Sequence, residues 1–238
     1  MAHCPHCGVG VAGNPENCPN CGKQWSAPEP AVSQRVAQPG KYLQTGWELF
    51  KQYPGGFIGF ALLFCIIQTI LARFPRLGGL ISLAISGPLG AGFYVVSAKL
   101  LQRRTPVFQD FFTGFQFFLP LLLLTIISAL LVGVGLVLLI LPGIFLMVCY
   151  LFSSMLVIDR RLDFWPAMEL SRRTVQTQWF GFFIFLLLII LINLGGALLL
   201  GLGLLVSLPV SACAVAAAYA DVFGLQSDYS GSMPTLKT

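Results

Sequence analysis

The chain has 238 residues, of which 56% are hydrophobic and only 10% charged, and its formal net charge is +5. Soluble domains carry about 25% charged residues, so this composition, with a mean hydropathy of +0.82, excludes a water-soluble globular protein and predicts an integral membrane protein. The positive balance is expected to report membrane orientation before it reports an acidic partner.

Residues 1–40 are the polar exception. They hold no apolar core of the kind a translocation signal needs, so insertion is expected to rely on the first span. Cys4-Pro5-His6-Cys7-Gly8 and Cys18-Pro19-Asn20-Cys21-Gly22 are two Cys-Pro-X-Cys-Gly knuckles in a C-x2-C-x10-C-x2-C array. Four thiolates suit a closed tetrahedral ion, and the proline and glycine of each knuckle let backbone N–H groups turn toward the sulfurs. Residues 1–25 are therefore read as a zinc ribbon with Cys4, Cys7, Cys18 and Cys21 as metal ligands. Iron in a rubredoxin-like site is the alternative. A filled shell leaves no coordination position for a substrate, so the Zn2+ is structural, and thiolates of this kind belong in a reducing compartment. His3 and His6 flank the first knuckle outside that shell. Lys23 and Arg35 are balanced by Glu16 and Glu29, and Trp25 is the sole aromatic residue before position 41. No basic, stacking surface for nucleic acid results.

Residues 26–40, rich in Pro, Ala and Gln, read as a flexible linker. The membrane domain is read over residues 41–224 and a cytoplasmic tail over 225–238. Gly55 to Ala72 gives 18 uncharged residues, about 27 Å of helix against a hydrocarbon layer of about 30 Å. Leu77 to Ala98 gives a second span. Phe117 to Ile158 is uncharged over 42 residues, about 63 Å as one helix, so it must fold back on itself. Gly133-Val134-Gly135 is the expected turn. Phe180 to Ala220 repeats the situation over 41 residues, with Gly195-Gly196 or Gly201-Leu202-Gly203 as the reversal. The fold class is thus an all-α polytopic membrane protein with six transmembrane helices in three hairpins, plus the small ribbon. Apolar turns leave open whether the second and third hairpins cross fully or are re-entrant.

With both termini inside, Lys23, Arg35, Lys41, Lys51, Lys99, Arg103, Arg104, Arg160, Arg161, Arg172, Arg173 and Lys237 are cytoplasmic, and Arg73 and Arg76 lie outside. Such a bias sets orientation, and it agrees with thiolates that need a reducing cytosol. The localisation read from it is a bacterial inner membrane.

The hairpins resemble copies of one unit. Each starts with a short amphipathic stretch carrying an acid (Glu48, Asp110, Glu169), continues into an aromatic-led span, and has a proline and then a tyrosine in its second helix: Pro88 and Tyr94, Pro142 and Tyr150, Pro209 and Tyr219. Three two-span units would be related by a pseudo-threefold axis along the membrane normal; chance alignment of common membrane residues is the rival reading. Trp47, Phe50, Phe111, Phe112, Phe164 and Trp165 are expected to anchor the amphipathic stretches at headgroup depth. Arg103, Arg104, Arg160, Arg161, Arg172 and Arg173 are candidate lipid-headgroup contacts, or else a topology signal with snorkelling side chains.

Within the spans, Gln68 and Asn193 are the most polar side chains and are expected to hydrogen-bond between helices. Cys65, Cys149 and Cys213 fall in separate spans as apolar fillers. The three prolines kink or start helices. Intramembrane acid pairs, a Ser-His-Asp set, HExxH and a phosphate-cradling glycine loop are all missing from the sequence, so no enzyme is predicted.

Leu141-Pro142-Gly143-Ile144-Phe145-Leu146, the run ending Leu156-Val157-Ile158-Asp159, and Ala167-Met168-Glu169-Leu170-Ser171 before Trp179 together resemble the YciC-like group of bacterial six-span proteins. They are also similar to the membrane domain attached to some glycerophosphodiester phosphodiesterases. The resemblance runs from about Tyr42 to Gly224 and implies a fold without an agreed activity; no phosphodiesterase domain accompanies it here. The knuckles separately resemble the small zinc ribbons that precede many bacterial membrane proteins. The function read from the sequence is a membrane scaffold or regulator, in contact with membrane lipid, whose ribbon binds a cytoplasmic protein partner. A passive transporter or lipid-handling protein with a groove in the bundle is the alternative. A reporter that fluoresces only in the cytoplasm is expected to light up when fused after residue 226 and to stay dark after residue 75; the reverse pattern would overturn the orientation.

Overall fold

A computed structural model describes residues 2–3, 10–11, 20, 36–74, 77–198 and 201–226. Two compact units separate at Ser33 and Gln34. Of the first, the described residues form strands β1 (Ala2–His3) and β2 (Gly10–Val11), paired antiparallel with Ala2 opposite Val11 and His3 opposite Gly10.

The second unit is helical. Prolines at the first turn start α1 (Pro39–Gln52) and α2 (Pro54–Ala72), where a missing N–H costs nothing. Pro54 also disfavours helical geometry at the residue before it, and Tyr53 breaks the chain between the two with φ −142°. The chain returns through α3 (Leu77–Leu101), runs along a 3-10 segment (Phe108–Phe117) and crosses again in α4 (Phe118–Leu138). It then forms α5 (Ile140–Cys149), α6 (Ser153–Arg160), α7 (Phe164–Gln176), α8 (Trp179–Leu198) and α9 (Leu204–Phe223). Six stretches among the described residues are long and apolar enough to cross a membrane, with α5 and α6 counted as one and the 3-10 segment joined to α4.

Burial divides these spans into two rings. In α2, α4 and α8 less than a quarter of the residues are buried, whereas α9 is mostly buried and α3 and α5–α6 about half. The outer helices turn rows such as Ile58, Leu62, Ile66 and Ile70 outward. Spacing of four keeps such residues on one helix face, and stripes of this size need lipid around them. The inner helices instead bury small residues, among them Ala91, which lies against Gly114 of the 3-10 segment, and Ala214, which lies against Gly46 of α1. Lipid gives helices no hydrophobic reason to associate, so close approach and dispersion must hold them.

Each amphipathic element lies on the inner helix of a different hairpin. The 3-10 segment packs on α3, α7 on α5 and α6, and α1 on α9. Two glycines make the first of these contacts. A Cβ on Gly92 would strike the Phe111 carbonyl, and one on Gly114 would strike that of Pro88. Phe111 then enters a cluster with Phe57, Phe60 and Phe93, its ring stacked 4.4 Å from that of Phe60.

Several sequence expectations change here. The second hairpin reverses at Leu139, in extended geometry, and not at Gly133-Val134-Gly135, which stays helical. Gly135 is used for packing, since it touches the backbone of Gly143 across the hairpin. In the third hairpin the reversal lies at the second of the two expected places: Gly201 has φ +77°, and Gly195-Gly196 remain in α8. Phe50 and Phe111 are buried core residues and not interfacial anchors, because their segments roll these rings onto the inner bundle; Trp47, Phe112 and Trp165 are exposed. Residues 36–38, read as linker, lead directly into α1, and the Ala37 amide donates to Gln178 Oε1 at 2.7 Å. Pro142 sits in the first turn of α5, while Pro88 and Pro209 lie inside α3 and α9.

Gly114→Val should force the 3-10 segment off α3 at a cost of about 1–3 kcal/mol. Thermal unfolding in detergent should show a clear loss, while Gly79→Ala, with open space around it, serves as the unaffected control.

Candidate functional site

The four knuckle cysteines lie outside the described residues. What is described is the strand pair that brackets residues 4–9, and with them Cys4 and Cys7. Among the described residues no group of three or more His, Cys, Asp or Glu side chains could hold a metal.

The most developed polar cluster joins the ends of the three inner helices. Asp159, in the last turn of α6, is buried at 7% exposure. It accepts the Tyr219 hydroxyl at 2.8 Å and the Gln226 amide at 3.3 Å. Arg160 donates to the Phe223 carbonyl at 2.7 Å, and its guanidinium stands 5.5 Å from the centre of the Phe223 ring. Gln102, just past α3, donates to the Gln226 carbonyl at 2.9 Å. Residues 223–226 are thus clamped from both other hairpins. On α9 itself, Tyr42 of α1 donates to Asp221 at 2.9 Å. Sequence reasoning gave neither Asp159 nor Asp221 a partner. An acid beside arginine in the last turn of a span was the available signal.

The six candidate arginines divide into different roles. Arg103 and Arg161 adopt positive φ, 56° and 52°, and end α3 and α6 without glycine. After α3 the Arg104 amide donates back to the Lys99 carbonyl and the Arg103 amide to that of Leu100, closing the helix in a Schellman pattern. Arg160 turns inward, as above. Arg172 binds Glu169 through two nitrogens, at 2.8 and 2.9 Å, and Arg173 adds a third bond at 2.7 Å. These guanidinium partners hold the Glu169 carboxyl down at about 2, well below the usual carboxylate range. Arg103, Arg161 and Arg173 are exposed, as is Arg104, and these keep their charge at the surface.

The intramembrane polar residues pair across helices as expected. Ser82 donates to Gln68 at 2.8 Å between α3 and α2. Asn193 of α8 donates to Ser211 at 2.7 Å and accepts from Ser207 at 3.0 Å, both on α9. Beside Asn193 is a cavity of about 280 Å³ with Phe64, Phe93, Tyr94, Leu186 and Ser211 in its wall. Where α5 gives way to α6, Ser171 of α7 donates to the Cys149 carbonyl at 2.7 Å and accepts the Phe152 amide at 3.3 Å. One hydroxyl thereby serves both sides of a broken helix. Cys149 and Cys213 are buried and Cys65 half-buried, all three free thiols in separate spans.

No family model, curated protein or solved structure matches the chain. Its functional reading therefore rests on its own residues and their geometry.

Tyr219→Phe removes one of the described donors to a buried carboxylate, a loss of roughly 1–3 kcal/mol. The expected outcome is a thermal midpoint lowered by several degrees, whereas Arg173→Gln, on a side chain 63% exposed, changes it little. Equal midpoints for Tyr219→Phe and the native chain would remove the clamp from the account.

Proposed function

We propose that this protein is a membrane-embedded scaffold or regulator whose amino-terminal cysteine knuckles bind structural zinc and present a docking module to a protein partner. The observation that carries this reading is the apolar packing of the helical unit, in which even the cavity beside Asn193 is walled mostly by apolar side chains. Its inner helices bury alanine, valine and aromatic side chains, and Gln68 and Asn193 are spent on neighbouring helices. A passive transporter would need a continuous polar path in their place. Chemistry in the membrane would need ionisable groups, yet Lys99, Asp159 and Asp221 stand at helix ends with partners of their own.

The knuckle spacing supports zinc. Metal binding would supply the folding energy that so small a ribbon lacks. We read the helical unit as three copies of one hairpin. Its amphipathic elements lie in turn on α9, α3 and α5–α6, each on the inner helix of the hairpin before it in cyclic order. All three inner helices also end on a residue with positive φ, Arg103, Arg161 and Gly224. That end bears most of the lysines and arginines, which supports a cytoplasmic placement for it and for the ribbon in a bacterial inner membrane.

Metal analysis of the purified full chain is expected to return about one zinc per chain, a stoichiometry set by one Cys4 site. The Cys4→Ser, Cys21→Ser variant should lose the metal and its co-purifying protein while keeping the thermal midpoint of the helical unit. Identical associates for both proteins would end the adaptor reading.

A further inference from the structure

We propose that the crevice between α3 and the 3-10 segment binds the phosphoethanolamine headgroup of a membrane phospholipid. This assignment is independent of the ribbon. It starts from an unusual backbone, since 3-10 helices seldom exceed three or four residues and this one runs from Phe108 to Phe117. With three residues per turn, side chains at i and i+3 eclipse, so the segment sorts its sequence into straight rows.

One row, Phe111 and Gly114, is buried against α2 and α3. A second, Phe112 and Phe115, is exposed at 38% and 40%, as suits lipid chains. The third row is polar: Asp110, Thr113 and Gln116. It faces Lys99, near the end of α3, across a crevice of about 350 Å³ whose wall also includes Gln109 and Phe112. That volume is in the range of small-molecule sites.

Charge and hydrogen-bonding capacity choose the ligand. Lys99 donates to Asp110 Oδ1 at 2.6 Å, and Asp110 Oδ2 accepts the Val107 amide at 2.7 Å. An ammonium has three donors and a carboxylate about four acceptor sites, so both ions retain capacity toward the crevice. Thr113, Gln109 and Gln116 make no side-chain hydrogen bond to other described residues and add neutral donors and acceptors. The site is net neutral, with one cation and one anion adjacent. A lone phosphate would meet Asp110 as well as Lys99. A zwitterion satisfies both, with its phosphate toward Lys99 and Thr113 and its ammonium toward Asp110 and Gln116. The depth fits as well, because Lys99 precedes the Arg103-Arg104 pair at the end of a span, the level of headgroups in a bilayer.

The test uses the full chain, purified in mild detergent, stripped of lipid and offered equal amounts of phosphatidylethanolamine and phosphatidylglycerol with the same acyl chains. Native mass spectrometry counts the bound lipid. The expected result is an excess of the phosphatidylethanolamine complex of about tenfold, the effect of one or two hydrogen bonds to charged groups. In Thr113→Val with Gln116→Leu, that excess should fall toward parity with helix content and thermal midpoint unchanged. Should the double variant lose its fold, Thr113→Val alone is read and should still reduce the excess. No preference in the native chain, a preference for phosphatidylglycerol, or full retention of selectivity in a folded variant would overturn the proposal. Binding of soluble phosphoethanolamine as tight as that of the lipid would overturn the lipid assignment in favour of the free headgroup.

Discussion

The helical unit depends on the way its inner helices finish. A helix end exposes carbonyls with no intrahelical partner, and in a low-dielectric setting each must find a donor. Here two carbonyls at and just beyond the end of α9 find donors in other hairpins, Arg160 on that of Phe223 and Gln102 on that of Gln226, while Asp159 accepts from the Tyr219 hydroxyl and the Gln226 amide. These bonds tie sequence positions 60 to 124 residues apart, with Gln102 to Gln226 the longest. They also fix the approach of the helices, because a half-buried guanidinium and a buried carboxylate tolerate little displacement before one loses its hydrogen bonds.

Above the clamp, packing replaces polarity. Glycines let the 3-10 segment rest on the backbone of α3, and Gly46 lets α1 rest on Ala214 of α9. The same device closes the far ends of the second and third hairpins, where Gly135 meets Gly143 and Gly196 meets Gly203. Contacts of this kind are short-ranged and intolerant of added volume. Ser171 acts at the break between α5 and α6, where it fills the backbone bonds that the interruption leaves.

Much of this was legible without coordinates. Runs of uncharged residues longer than a bilayer is thick forced hairpins, and the polarity of Gln68 and Asn193 inside such runs implied partners on adjacent helices. Other readings failed for identifiable reasons. Gly133-Val134-Gly135 looked like a turn because glycine is permissive, yet glycine in a membrane helix serves close approach at least as often. The extended residue is Leu139, whose side chain gives no such signal. Phe50 and Phe111 looked like interfacial anchors because amphipathic stretches commonly carry aromatic residues at headgroup depth. Which way a short segment rolls is decided by the surface it lands on, and Gly92 and Gly114 supply that surface for Phe111.

The sequence by itself determined the polar amino-terminal region with its four spaced cysteines, the number of apolar crossings and the end of the unit at which positive charge collects. Those are matters of composition along the chain and of the thickness of a bilayer. Only the tertiary structure decided which helices are inner and which face lipid, that Asp159 and Arg160 reach α9, and that Asp110, Thr113 and Gln116 form one row opposite Lys99. Each of these depends on groups far apart in sequence or on a 3-10 geometry that local propensity disfavours, and both are set when helices pack.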